Sequence, residues 1–229
     1  MSCSLDAMVP AASHHRGDYA HGMSDTATYG IFTLGMVLVP GERIPLHLFE
    51  PRYRQLFADC VLENTPFVLR FADESGPAPI GCTARFDEVL DRFEDGRISV
   101  VIVGVNAVEI GDAVDGRLYD CAQCTTLIDA PSPSDPALAA RATQRFEELA
   151  AAVTGTAQSP AHDDEIPWSY VLAAHIELAP DIKQELLTTR DESARLELMI
   201  VALDAEIAHV RRAELAAERA PTNGKVPHD

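Results

Sequence analysis

Two cysteines at metal-binding spacing are the first residues of this chain whose types could do chemistry. Cys121 and Cys124 are separated by two residues, as in zinc sites and thiol redox motifs. A structural zinc site needs four ligands, no second pair is present, and the nearest downstream histidine is His162. If residues 118–128 form a strand, side chains three apart point to opposite faces and cannot share an ion. The pattern favours apolar packing, and we expect no metal.

A serine protease with a lysine base is the second chemistry to weigh. The two lysines are Lys183, in a short helical pattern, and Lys225, in a polar terminal stretch. A lysine base must be desolvated to lower its pKa, and we expect neither lysine to be buried beside a serine. The chain also has no GxxxxGK[ST] phosphate loop. We therefore expect no protease, no ATPase, no other enzyme activity and no cofactor.

Histidines and an acidic run are the remaining candidate ligands. His14, His15 and His21 lie in a polar, aperiodic stretch, where a preformed metal site is not expected. His175 falls on the apolar face of a helical pattern, which favours a hydrogen-bonded core histidine over a ligand. The acidic run 163–165 precedes a helix start, where carboxylates favour the helix N-terminus.

Charge and composition exclude several classes of function. The 229 residues carry 18 basic and 36 acidic side chains, a net charge of −18. Nucleic acids and anionic membranes attract basic surfaces, so neither is an expected partner. No apolar run is long enough to span a bilayer. Five cysteines without a secretion signal indicate free thiols in a reducing cytoplasm.

The best-specified stretch is residues 34–62. Its apolar run 36–39 predicts a strand, and Pro40-Gly41 predicts a tight turn. Apolar residues then alternate over 44–48, as in a half-buried strand, and Pro45 places that strand at a sheet edge because proline donates no hydrogen bond. Pro51 opens a helix whose apolar face is predicted to contain Tyr53, Leu56, Phe57, Cys60 and Val61.

Short strands follow, with turns between them. Strands are predicted over 66–71, 80–90, 98–103, 105–110 and 118–128. The continuously apolar strand 98–103 is expected to be buried on both faces, and Gly104 to mark a bulge or bend. Asp95-Gly96 and Asp115-Gly116 supply turns. Six or so strands with one helix among them predict a small closed or partly open barrel.

The remainder of the chain is predicted to be helical. Asp135 is an N-cap and Pro136 a first-turn residue of an alanine-rich helix. Further helices are expected around 168–176 and 182–187, and from 191 to about 220. We thus predict a disordered tail over 1–27, a barrel over 28–130, a linker over 131–136, a helical bundle over 137–220 and a disordered tail over 221–229. Met23 is an alternative translation start.

Three segments resemble the N-terminal substrate-binding domain of the ATP-dependent protease Lon. PGERIPLHLFEPRYRQL resembles the signature of that domain, and IGCTARFDEVLDRFEDGRISVVIVGVNAVEI resembles its hairpin region. DIKQELL and the later ARL resemble its helical region. The likeness covers roughly residues 31–210. It implies an α+β fold, a PUA-like β pseudobarrel followed by an α-helical bundle, without the ATPase and protease domains of full-length Lon.

The residues that carry the signature are expected to be structural. Glu50 and Arg52 can brace the turn from strand to helix, while His47, Arg52 and Arg54 should be exposed and are candidate peptide contacts. The signature set is Pro40, Gly41, Pro45, Leu46, Phe49, Glu50, Pro51, Arg52 and Tyr53.

The resemblance implies a non-catalytic module that binds unfolded or degron-bearing polypeptides, with a protease or chaperone as further partner and a role as proteolysis adaptor. The Pro45 strand edge and a groove between barrel and bundle are the expected binding surfaces. Two alternatives stay open: an RNA-binding PUA-like protein, and an enzyme acting on a small molecule in the barrel–bundle crevice.

Overall fold

A computed structural model describes residues 25–131, 134–161 and 165–219. Several residues named above lie outside these ranges: the histidines at 14, 15 and 21, the acidic pair at 163–164, Lys225, Met23 and the tail at 221–229. Most of the tail expected over residues 1–27 does too, but Thr26 and Ala27 belong to a strand.

The chain folds into seven strands and five helices within these ranges, so the α+β prediction is confirmed. The strands are β1 (Thr26–Leu34), β2 (Arg43–Leu48), β3 (Phe67–Asp73), β4 (Gly76–Pro77), β5 (Ile80–Arg92), β6 (Ile98–Val114) and β7 (Cys121–Thr126). The helices are α1 (Pro51–Glu63), α2 (Pro136–Thr154), α3 (Trp168–Ala173), α4 (Pro180–Thr188) and α5 (Glu192–Arg219).

Five strands close into a ring. In the order β1, β7, β6, β5 and β3, each strand pairs antiparallel with the next, and β3 pairs parallel with β1. Residues 98–103 of β6 pair with β2, and residues 108–114 pair with β7. Among the described residues β2 has no other strand partner. Because proline cannot donate to a second neighbour, Pro45 sits where the sequence predicted it, on a strand paired along one edge.

Two of the strand predictions were wrong. Residues 36–39 form no strand; Val37, Leu38 and Val39 are buried side chains of a connection, and the preceding strand is β1. Residues 98–103 are buried on one face only: Val100 and Ile102 are inaccessible, whereas Val101 and its neighbours on the other face are half-exposed. A continuous run of apolar residues therefore did not mean burial on both faces.

Gly104 lies at the irregularity that its position predicted. The register of β5 and β6 shifts between the pairs Ala84–Gly104 and Cys82–Ala107. The Gly104 N–H donates to the Glu42 carbonyl oxygen at 2.9 Å, and its own carbonyl accepts from the Gly41 N–H at 2.9 Å. A Cβ at Gly104 would collide with the backbone oxygen of Val39. Only glycine allows the 39–42 turn to lie this close to β6.

We expect Gly104→Ala to lower the free energy of unfolding by about 1–3 kcal/mol, the usual penalty for forcing atoms into a packed site. Urea unfolding followed by circular dichroism measures the change. Gly35→Ala is the control, since its Cβ would meet its nearest neighbour, the Ala72 oxygen, at 3.9 Å. Equal stability of the two variants would contradict the close-packing interpretation.

The helices begin close to their predicted starts, but α3 is shorter than predicted. Asp135 caps α2 by accepting from the Ala137 N–H at 2.8 Å. Asp191 similarly accepts from the Ala194 N–H at 2.9 Å before α5. However, α3 ends at Ala173, so His175 lies beyond the helix and is exposed. The prediction of a core histidine was therefore wrong, because the helical periodicity did not continue to residue 175.

Strands and helices share one hydrophobic core. Ile102 of β6 and Leu38 of the β1–β2 connection belong to the same buried cluster as residues from all five helices, including Leu56, Phe146, Leu172, Leu186 and Leu203. A smaller cluster on the other face of the strands contains Ile31, Val68, Val108, Ile110, Ala122 and Cys124. The packing of the helices on the sheet is thus continuous, and it positions the polar contacts described next.

Candidate functional site

A buried ion pair joins the turn before β2 to helix α4. The Lys183 ammonium lies 2.5 Å from Oε1 of Glu42, and both side chains are at least nine-tenths buried. The other carboxylate oxygen, Oε2, accepts from the Val39 N–H at 3.1 Å. The sequence did not predict that Lys183 would be buried. It lies beside a carboxylate rather than a serine, so the pair braces sheet against helix and supplies no nucleophile.

A second buried charge, Arg195, joins α5 to the end of the sheet. Its guanidinium is fully buried and forms a bidentate pair with Asp129, three residues after β7. It also donates to Glu192 Oε2 at 2.7 Å and to the Thr189 carbonyl oxygen at 2.9 Å. Its Nε donates to Ser169 Oγ at 3.0 Å. These contacts compensate the desolvation of the charge and raise the pKa of Arg195.

The helical segments that resembled Lon therefore have structural roles. Lys183 of DIKQELL meets Glu42 of PGER, and Arg195 of ARL meets Asp129. At these positions the contact between sheet and helices is filled by buried side chains. Gln184 adds a further link by donating to the Ile80 carbonyl oxygen at 2.9 Å.

The strand-to-helix turn is braced by its own polar residues. Arg52 Nε donates to Glu50 Oε2 at 2.8 Å, the contact expected from the sequence, and the guanidinium lies 4.6 Å from the centre of the Tyr53 ring. Glu50 is the extended N-cap residue and Pro51 begins α1. Tyr53 is buried against Phe32, with ring centres 4.0 Å apart. Arg52 is exposed as predicted, with its charge paired.

Arg54 differs from its prediction, because it is half-buried. Its Nη1 lies 3.4 Å from the Asp95 carbonyl oxygen at the tip of the β5–β6 hairpin, close above Gly96. Its Nε is buried without a hydrogen-bond partner in the described part of the chain. Arg54 is thus placed to hold the hairpin against α1. Val61, predicted on the apolar face of α1, is instead exposed.

The outward side of β2 is the most accessible part of the signature. Arg43, Pro45, His47 and Phe49 alternate outward, while Ile44 and Leu48 are buried. Phe49 is 62% exposed and, on the hairpin, Phe93 is 37% exposed. The His47 and Phe93 rings meet edge to face at 5.3 Å, and His47 Nδ1 lies 3.0 Å from Ser99 Oγ. We call Pro45, His47, Phe49 and Phe93 the β2 surface.

One edge of β2 pairs with no strand in the part of the chain that the structure describes. The Gly104 N–H bonds to the Glu42 carbonyl oxygen, and bonded positions alternate along an antiparallel pair. Ile44, Leu46 and Leu48 therefore bond to β6, while the odd-numbered residues direct their polar groups away from it. Arg43 and His47 offer N–H donors there, whereas Pro45 offers only a carbonyl oxygen.

The four cysteines in the described ranges are free thiols with buried side chains. Cys121 belongs to the main core cluster and Cys124 to the smaller one, so they face opposite sides of β7 as predicted. Burial raises the pKa of Cys60 and of Cys124 to about 11, and that of Cys82 to about 12. Within the described ranges, no three histidine, cysteine or acidic side chains are grouped to hold a metal ion.

Slow alkylation of these thiols is the expected consequence. In a Cys3→Ser variant, which removes the thiol outside the described residues, Cys60, Cys82 and Cys124 should react with iodoacetamide at pH 8 at least about a hundredfold more slowly than free cysteine, and Cys82 slowest, because the thiolate is the nucleophile. Mass spectrometry of the native and the urea-unfolded protein measures the rates. Fast modification of the native protein would contradict the burial of these side chains.

A large groove lies within the helical part. It measures about 690 Å³ and is bounded by α2, α5, residues 156–161 and residues 175–177. None of the helices in the described ranges is long and apolar enough to cross a membrane.

Together the ring of strands and the helices packed on it define a domain of mixed α+β architecture. The family model described as the ATP-dependent protease La (LON) substrate-binding domain matches residues 28–205, and the chain belongs to this family. No curated protein matches the sequence.

Solved structures agree with the fold. The Lon N-terminal domain protein from Xanthomonas campestris is 22% identical with a TM-score of 0.60, and the match covers 76% of this chain and 98% of that one. The N-terminal domain of Mycobacterium avium complex Lon protease is 16% identical with a TM-score of 0.57, covering 78% of this chain and 98% of that one.

Proposed function

We propose that this substrate-binding domain captures extended segments of unfolded or degron-bearing polypeptides along the β2 surface. The observation that carries the proposal is a strand edge that pairs with no strand in the described residues, on a strand followed directly by the exposed ring of Phe49. The exposed ring of Phe93 reaches His47 of this strand from the β5–β6 hairpin, across β6. A bound segment adds its backbone hydrogen bonds to the edge, and its alternate side chains contact the rings.

The composition of the β2 surface suits clients of varied sequence. Backbone pairing at the Arg43 and His47 N–H groups does not depend on the side chains of the client. Phe49 and Phe93 add apolar contact area, which favours segments with exposed aromatic or aliphatic residues. Pro45 removes one donor from the edge, which limits edge-to-edge pairing between copies of the domain. The surface is therefore suited to transient binding of unfolded chains.

Membership of the family supports a proposal for the wider role. We propose that the protein acts in the cytoplasm as an ATP-independent proteolysis adaptor, presenting clients to a protease or chaperone. Its net charge of −18 disfavours the RNA-binding alternative. We also propose that the ring of strands is PUA-like. Residues 28–130 and 137–220 would then be the two subdomains of the protein.

The test is binding of a reduced, carboxymethylated protein that stays unfolded. The Phe49→Ser/Phe93→Ser variant should bind it at least about tenfold more weakly. Burying a phenylalanine side chain contributes about 1.5–3 kcal/mol at most, and losing part of this at both rings reaches the ~1.4 kcal/mol of a tenfold change. Fluorescence anisotropy measures the affinity.

The matched control is Val201→Ser/Leu215→Ser, two exposed apolar residues on α5. This variant should bind the unfolded protein within twofold of wild type. An equal loss in both variants would contradict a specific β2 surface. Salt-sensitive retention of RNA, with no affinity for the unfolded protein, would instead favour the RNA-binding alternative.

A further inference from the structure

The groove in the helical part has an apolar floor at helical spacing. Phe146, Leu149, Ala150 and Val153 of α2 line it at relative positions 0, 3, 4 and 7. This row spans two helical turns, or about 10 Å. Val210 of α5 and Ile176 complete the apolar lining.

The floor is partly open to solvent. Val153 is 64% exposed, although its neighbours Phe146 and Leu149 are buried. The volume, about 690 Å³, is within the range of ligand-binding pockets. An apolar row of this length matches the contact made by one face of a short amphipathic helix, whose anchors repeat at the same spacing.

The rim of the groove is acidic and its charges are uncompensated. Glu177 and Glu206 line the groove, and within the part of the chain that the structure describes neither forms an ion pair or a hydrogen bond. On the two helices that bound the groove, Arg145 pairs with Glu148 and Asp204, and Arg211 pairs with Glu148. A neutral or acidic occupant would desolvate the two carboxylates without a partner, which is unfavourable.

We propose that this groove binds a basic amphipathic helix of a partner protein. Apolar side chains of the helix contact the floor formed by α2 and Val210, while lysine or arginine side chains pair with Glu177 and Glu206. This site is separate from the β2 surface, so the domain has one surface for extended clients and another for a helical partner.

The probe is an 18-residue peptide of leucine and lysine with leucine at positions i, i+3, i+4 and i+7, compared with a peptide in which glutamate replaces lysine. Wild-type protein should bind the lysine peptide and not the glutamate peptide in fluorescence anisotropy. Glu177→Lys/Glu206→Lys should weaken binding of the lysine peptide about tenfold, since each reversal replaces an attraction by a repulsion.

Matched variants separate the groove from general charge attraction. Glu109→Lys/Glu197→Lys makes the same change of net charge at exposed positions outside the groove lining and should bind within twofold of wild type. Val153→Ser should weaken binding severalfold, whereas Val201→Ser, at an equally exposed valine of α5, should not.

Three outcomes would overturn the proposal: equal losses in both charge-reversal variants, equal binding of the two peptides, or conversion of a dimer to a monomer by Val153→Ser, which would make a second copy the occupant. The Phe49→Ser/Phe93→Ser variant should retain peptide binding at the groove, so failure of the β2 proposal and failure of this one are distinguishable.

Discussion

Arg195→Ala should lower the free energy of unfolding by about 3–5 kcal/mol, the usual cost of removing one partner from a buried charge network. The fully buried guanidinium contacts Asp129, Glu192, Ser169 and the Thr189 carbonyl oxygen. Its loss leaves Asp129 and Glu192 without their main cationic partner and opens a cavity beside Tyr170, whose ring lies 4.5 Å from the guanidinium carbon. Urea unfolding measured by circular dichroism reports the change.

Arg211→Ala is the matched control. Arg211 lies on the same helix and pairs with Glu148 at 2.5 Å, but its side chain is 61% exposed. Exposed pairs contribute about 0–1 kcal/mol, so this variant should unfold close to wild type. If Arg195→Ala were no less stable than Arg211→Ala, the network at Asp129 would not hold α5 to the sheet.

Lys183→Ala and Glu42→Ala should each destabilise the fold by about 3–5 kcal/mol as well, since each leaves a buried charge without its partner. The two effects should not add. In the double variant Glu42→Gln/Lys183→Met, no formal charge remains at the site and the shapes are roughly kept, so the loss should be smaller than either single loss.

A double-mutant cycle, measured by urea unfolding, gives the coupling between the two residues. Glu42→Gln, Lys183→Met and the double variant complete the cycle, with a coupling energy of at least about 1 kcal/mol expected. Additive losses would show that Glu42 and Lys183 act independently, contrary to their 2.5 Å contact. The Val39 N–H, which donates to Glu42 at 3.1 Å, keeps a partner in Glu42→Gln and loses it in Glu42→Ala.

Local signals in the sequence predicted much of the fold. Asp135 with Pro136, the Asp-Gly turns and the alternation around Pro45 depend on near neighbours in the chain, and the structure confirms each of them. The number and spacing of short strands predicted a closed or partly open barrel, and the pairing of β1 with β3 closes the ring. By contrast, β1 lacks a clear alternation and was missed, while the apolar run at 36–39 is buried in a connection.

The buried ion pairs could not be predicted from the local sequence pattern. Glu42 and Lys183 are 141 residues apart, and Asp129 and Arg195 are 66 apart. A lysine on a short helix is normally exposed, and only the packing of α4 on the sheet buries this one. The available signal was indirect: both Lys183 and Arg195 lie in segments that resemble Lon, as does Glu42. Segments distant in sequence that share one resemblance are candidates for mutual contact.

The signature around Pro45 and Phe49 fixes local structure and also supplies the proposed binding surface. Pro40, Gly41, Pro51 and Tyr53 fix the turn and the start of α1. The alternate residues Pro45, His47 and Phe49 are left outward by that geometry. The proposed binding surface is thus a consequence of how the signature folds.

Amide hydrogen exchange measured by NMR with and without the unfolded client tests the central claim most directly. If the client pairs with the open edge of β2, the amides of Arg43 and His47 should exchange quickly in the free protein and at least about tenfold more slowly at saturation, because each gains a hydrogen-bond acceptor. The amides of Ile44 and Leu46, already directed toward β6, should change less. Unchanged exchange at Arg43 and His47, with protection appearing elsewhere, would contradict the proposal.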